Sequence, residues 1–149
     1  MSQVIDSTSA ADVFAEKASR LNGPWTPALE QLLVLARQSH RDNFNSSATP
    51  DGNAWAPRKE EGDGHRLLMD KGPLMQASVG QGPGSIARFE DNGTTLVTGV
   101  DLEIIRYARA HNLGFPAGNL PQREFLGLTL QRAQEGDHIV ADVVERTIF

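Results

Sequence analysis

Four histidines, His40, His65, His111 and His138, are the first residues to test for chemistry. No two of them stand at the i,i+4 or short spacing that lets imidazoles share a metal ion. His40 falls on the apolar side of a helical repeat, so it reads as a group at the edge of a core. His111 ends a helical stretch beside Gly114, where its positive form would suit a helix C-terminus. Carboxylates are plentiful, among them Glu60, Glu61, Asp63, Glu90 and Asp91. A general acid and base pair needs two of them in an apolar cleft, whereas these fall in solvated turns. Ser46, Ser47, Ser78 and Ser85 show no Gly-x-Ser-x-Gly elbow. The run Gly80-Gln81-Gly82-Pro83-Gly84 has a phosphate loop's glycines but lacks its Lys and its following helix. No catalytic residue, cofactor site or metal site is expected.

The elements that would position these residues come next. With 149 residues, the chain has the length of one domain, 1–149, large enough for a core without staples. It has no Cys, which excludes disulfides, thiolate zinc sites and a Cys nucleophile, and fits a reducing cytoplasm. No apolar run approaches the roughly 18 residues that span a bilayer, so no membrane partner is expected. Residues 1–8 have neither the basic nor the apolar region of a leader, and they read as a frayed terminus. The formal charge of −5 disfavours gripping DNA through its phosphates.

Val13, Phe14, Ala18 and Leu21 give a short amphipathic helix, stopped by Asn22-Gly23-Pro24. Thr26 reads as the N-cap of a second, longer helix, with Pro27 at its first position. Leu29, Leu32, Leu33, Ala36, His40 and Phe44 then follow helical spacing. Val34 and Leu35 widen the stripe, so cover is expected on a second flank.

A long loop, 45–73, follows. It is made of turn formers and charges, yet it carries Trp55, which seldom stays in water without a reason. Its charged part, 58–66, reads as a mobile arm. Residues 74–79 alternate like a strand, 85–90 read as a second strand, and 94–100 as a third beyond an Asp91-Asn92-Gly93 turn. Asp101 reads as the cap of a helix running to His111. Phe125-Leu126-Gly127-Leu128 would add a fourth strand or an edge segment. Thr129 reads as the N-cap of a C-terminal helix, with Gly136-Asp137 a possible break. Residues 139–144 also fit a strand by their β-branched content, although periodicity favours the helix. The fold class expected is α+β: an antiparallel meander of three to four strands packed by a long N-terminal-half helix and a C-terminal helix.

Several stretches, in order, resemble the virion morphogenesis, or tail-completion, family of tailed phages, Mu-like phages among them. Asn43-Phe44 matches the end of that family's helix, and Pro50-Asp51-Gly52-Asn53-Ala54-Trp55-Ala56-Pro57 its loop. Leu67-Leu68 and Gly72-Pro73-Leu74 with Ser78 match the next block. Tyr107-Ala108-Arg109-Ala110-His111 with Gly114 matches the third, and Phe125-Leu126-Gly127 the last. Two departures stand out: Pro121-Gln122-Arg123-Glu124 replaces Pro-Ala-Arg-Pro, and Asn112 stands where the family usually has Gln.

The resemblance implies a structural protein of the virion neck without enzymatic activity, made in the host cytoplasm. It implies a ring of copies, a hexamer or else a dodecamer, around a channel through which DNA passes without sequence-specific binding. Neighbouring neck, connector and tail-tube proteins would be its partners. An assembly factor absent from the finished particle is the alternative, and a small ligand-binding module a remote third. The interface residues expected are Phe44, Trp55, Arg58, Lys59, Glu60, Glu61, Tyr107, His111, Phe115, Arg123 and Phe125.

Overall fold

The computed structural model describes residues 12, 15, 16, 19, 22, 23, 25–58, 68 and 72–148. Asp12, Ala15, Glu16 and Ser19 are helical, and the chain turns at Asn22 and Gly23. The long helix, α1, spans Thr26–Ser46. Thr26 is its first residue rather than its cap: Trp25 holds the cap position, and no side chain satisfies the first turn. Ser47, in the left-handed conformation, ends α1, and the Ala48 N–H returns to the Asn43 carbonyl. The loop expected from residue 45 thus begins two residues later. The charged arm at 58–66, apart from Arg58, and the terminus at 1–8 lie outside the described residues.

Residues 74–79 are not a strand. Pro73–Ser78 form a one-turn helix, α2, entered through Gly72 at φ 79°. The reason is local. Pro73 supplies a helical φ at the first position, and Leu74, Ala77 and Ser78, the buried positions, share one helical face. An apolar run this short fits either period, and the Gly-Pro before it decides for the helix.

The sheet of the described residues is a two-stranded hairpin, β1 (Ser85–Glu90) with β2 (Thr95–Val100), so the expected meander shrinks to its last two strands. Its turn follows the sequence signal: Asp91, Asn92 and Gly93 all take positive φ. Asp101 caps a turn, accepting the Glu103 N–H at 2.8 Å, but no continuous helix follows it. Helix α3 is Ala108–Leu113, and a 3₁₀ turn occupies Pro116–Gly118. The C-terminal helix α4 runs unbroken over Leu130–Ile148. Thr129 does cap it, its hydroxyl accepting the Arg132 N–H at 3.2 Å. Gly136 does not interrupt α4. It is the point where α4 meets α1, and a Cβ there would press on Leu32 at 3.3 Å. Helix α4 packs on α1 and covers Leu35, one of the two residues that widen its stripe, while the other, Val34, stays 56% exposed.

The core gathers where α1, α2, β2 and α3 converge: Phe44, Trp55, Leu74, Ala77, Val100, Ile105, Ala108 and Phe125. No described helix is long and apolar enough to cross a membrane.

Candidate functional site

The loop after α1 folds back on itself. The Thr49 N–H donates to the Asn53 carbonyl, and the Trp55 N–H to the Ser47 carbonyl, both at 2.8 Å. This swings the Trp55 indole against the last turn of α1. Its ring meets Phe44 edge-on at 5.6 Å, and Phe44 meets Phe125 at 5.4 Å. Phe44 and Phe125 are 0% exposed and Trp55 is 4%. Such aromatic pairs add about 0.5–1.5 kcal/mol each beyond the area they bury.

Phe125 belongs to no strand, because side chains take the place of a ladder. The Asn112 side-chain carbonyl accepts both the Phe125 N–H, at 3.0 Å, and the Leu126 N–H, at 3.2 Å. The Asn43 amide donates to the Phe125 carbonyl at 3.0 Å and, more weakly, to the Gly127 carbonyl at 3.3 Å. Ser39 donates to that Gly127 carbonyl and accepts the Thr129 N–H. The Trp55 indole N–H donates to the Glu124 carbonyl at 2.8 Å. With the polar groups beside it met by side chains, Phe125 lies buried without a strand partner.

Arg123 is 6% exposed and is turned inward. Its guanidinium donates to the carbonyls of Ala56, at 2.8 Å, and Pro57, at 3.1 Å. Burial, and then the charge of Arg58, lower its pKa from the usual value. Of the expected interface residues, Phe44, Trp55, Arg123 and Phe125 therefore fasten two loops to each other inside the chain. Their side chains are buried within the chain.

Tyr107 and Phe115 are exposed, and Arg58 is half-buried. Lys59, Glu60 and Glu61 lie outside the described residues. His111 meets Tyr107 edge-on at 5.8 Å, and its Nδ1 is buried without a hydrogen-bond partner. Burial first, and Arg123 second, lower the His111 pKa. The positive form expected at that helix end is thus disfavoured.

Sequence reasoning missed the polar side chains that do the fastening: Ser39, Asn43 and Asn112. Asn43 and Asn112 each lie beside a motif residue, which was the available signal. No metal-binding cluster of His, Asp or Glu occurs among the described residues.

The fold and its site thus define a small α+β protein whose distinctive residues build an internal clasp. The profile of the phage virion morphogenesis family matches residues 6–146, nearly the whole chain, and the protein belongs to that family. The family suggests a phage-associated protein with a role in virion assembly. No curated protein sequence and no solved structure matches the chain.

Proposed function

We propose that this protein is a structural component of the head–tail junction of a tailed phage, of the tail-completion or terminator kind, with no catalytic activity. Copies form a ring, a hexamer or a dodecamer, around the DNA channel and bridge neighbouring neck, connector and tail-tube proteins. Family membership supports the setting. One observation carries the reading: the aromatic motif residues Phe44, Trp55 and Phe125 are spent on the internal clasp, while large apolar side chains, the motif's Tyr107 among them, stay exposed along 102–115. Leu102, Ile104, Tyr107, Leu113 and Phe115 are 46–57% exposed. Leu102 and Leu113 line one cleft and Leu113 and Phe115 another, and contiguous exposed apolar surface marks contact sites. A ring needs one heterologous interface repeated to closure, and a net charge of −5 lets DNA slide rather than bind.

The test is a phage carrying a nonsense codon in this gene. The expected outcome is filled heads and finished tails that fail to join, seen by electron microscopy and restored by supplying the protein. Lysates lacking heads, or lacking tails altogether, would sink the junction reading. Mass spectrometry of purified virions should find the chain. Its absence there would leave the assembly-factor reading in its place.

A further inference from the structure

A two-stranded hairpin has two outer edges: β1 carries Arg88 and Glu90 along one, and β2 carries no charge along the other. The register sets Ile86 opposite Gly99 and Ser85 opposite Val100, and the Asp101 N–H donates to the Gly84 carbonyl. Hydrogen-bonded pairs alternate in an antiparallel ladder. Thr95, Val97 and Gly99 therefore turn their backbone groups toward β1, while Leu96, Thr98 and Val100 turn theirs away. No hydrogen bond reaches those outward groups among the described residues. Proteins usually guard such an edge with charge, proline or a bulge. Strand β2, Thr-Leu-Val-Thr-Gly-Val, has none of these.

The open edge borders a cleft of about 300 Å³. One wall is 97–100 of β2, the other is α3 with Ala108, Arg109 and Leu113, and Phe125 and Leu126 also line it. Gly99 keeps it clear, since a Cβ there would meet nothing within 4 Å. Arg109 stands at the rim, and with Arg106 it lines a second cleft alongside. Both arginines are exposed, and neither forms an ion pair or hydrogen bond among the described residues.

We propose that this groove binds an extended, apolar peptide segment bearing a carboxylate, which pairs with β2 as a third strand and sets its carboxylate against Arg109. Backbone pairing to Leu96, Thr98 and Val100 supplies affinity, and the cleft beside Gly99 and the arginine pair supply selectivity. Charge complementarity names the partner. In the other described strand of this chain, β1, the one carboxylate, Glu90, is already held by Arg88 at 2.7 Å and the strand is already paired to β2, so the segment comes from a different protein. That it comes from a neighbouring virion protein rests on the proposed function; the mode of binding does not.

The probes are short synthetic peptides that tile the other structural proteins of the same virion and this chain itself, measured by fluorescence polarisation against the full-length protein. The expected result is a carboxylate-bearing peptide from another virion protein that binds more tightly than about 1 mM. Binding should slow hydrogen exchange at the amides of Leu96, Thr98 and Val100. Gly99→Leu, which fills the cleft in open space, and Arg109→Glu should each weaken binding at least about tenfold. Their urea midpoints should match the wild type, so that unfolding is not the cause. Thr98→Pro, which removes one outward N–H, should weaken binding as well. The proposal is overturned if no peptide binds, if the bound peptide leaves those amides unprotected, if Gly99→Leu binds as well as wild type, or if only peptides of this chain bind. A bound peptide from a protein remote from the junction would support the groove and count against the junction reading.

Discussion

Phe125 lies between two regions built on contrary terms. On one side is the aromatic clasp, where Phe44, Trp55 and Phe125 close on one another and the surrounding loop carbonyls and amides find side-chain partners. On the other is the cleft along β2, where backbone groups point out without a partner among the described residues and the walls are mostly apolar. The clasp holds the fold whether or not a partner is present. The difference teaches that conspicuous residues need not mark a contact surface: here they secure the scaffold, and the open face is made of ordinary Val, Thr, Gly and Leu.

The contrast breaks most readily at its strongest point. Phe125→Ala should cost about 3–5 kcal/mol, the range for emptying a buried aromatic site. Gly99→Leu across the cleft should change stability by no more than about 0.5 kcal/mol, as at a surface site. Urea unfolding of both variants checks this. Similar costs at the two positions would mean that the cleft is as much part of the core as the clasp is.

A smaller effect separates the polar fastening from the aromatic packing. Asn112→Leu keeps much of the volume but leaves the Phe125 and Leu126 amides without an acceptor. The expected loss is about 1–3 kcal/mol, with faster hydrogen exchange at those two amides. Asn112→Asp retains an acceptor oxygen and should stay closer to wild type. Equal losses in the two variants would place the fastening elsewhere than in these bonds.

Sequence patterns delivered the parts of the fold that depend on period and local chemistry. Helix α1 followed its apolar spacing, Asp91-Asn92-Gly93 turned the hairpin, and Thr129 capped α4. Two expected strands failed for different reasons. At 74–79 the run was too short to carry a period, and the helix-starting Gly72-Pro73 was overlooked. At 125–128 the residues look like a strand, but their ladder partners are side chains from 39, 43 and 112, distant in sequence. Trp55 is out of water, as its presence in a polar loop suggests, and it is the clasp that holds it there. The clasp's aromatics were therefore visible and its amides were not, because a side chain that bonds to remote backbone leaves no periodic trace. The cleft was illegible for a further reason. An open strand edge depends on what does not pair with it.

The smallest predicted effect tests whether the buried side also sets the response to pH. His40 is 3% exposed, and its Nδ1 lies 2.8 Å from the Ser78 carbonyl, joining α1 to α2. A carbonyl can only accept, so Nδ1 carries the hydrogen. Burial lowers the His40 pKa from the ordinary 6.5, and Arg37 lowers it further, while the Ser78 carbonyl works the other way. The folded protein thus resists a proton that the unfolded chain takes up near pH 6.5. Unfolding gains protons, and stability must fall as pH drops below about 6.5, levelling off beneath the depressed folded value. His111, lowered by its own burial and by Arg123, adds in the same direction. Urea unfolding between about pH 5 and pH 8 should show this slope. His40→Gln can still donate to Ser78 but does not titrate, so it should flatten the slope to the share left by His111. A variant that keeps the full slope would remove His40 from the account and leave the contact between α1 and α2 insensitive to acid.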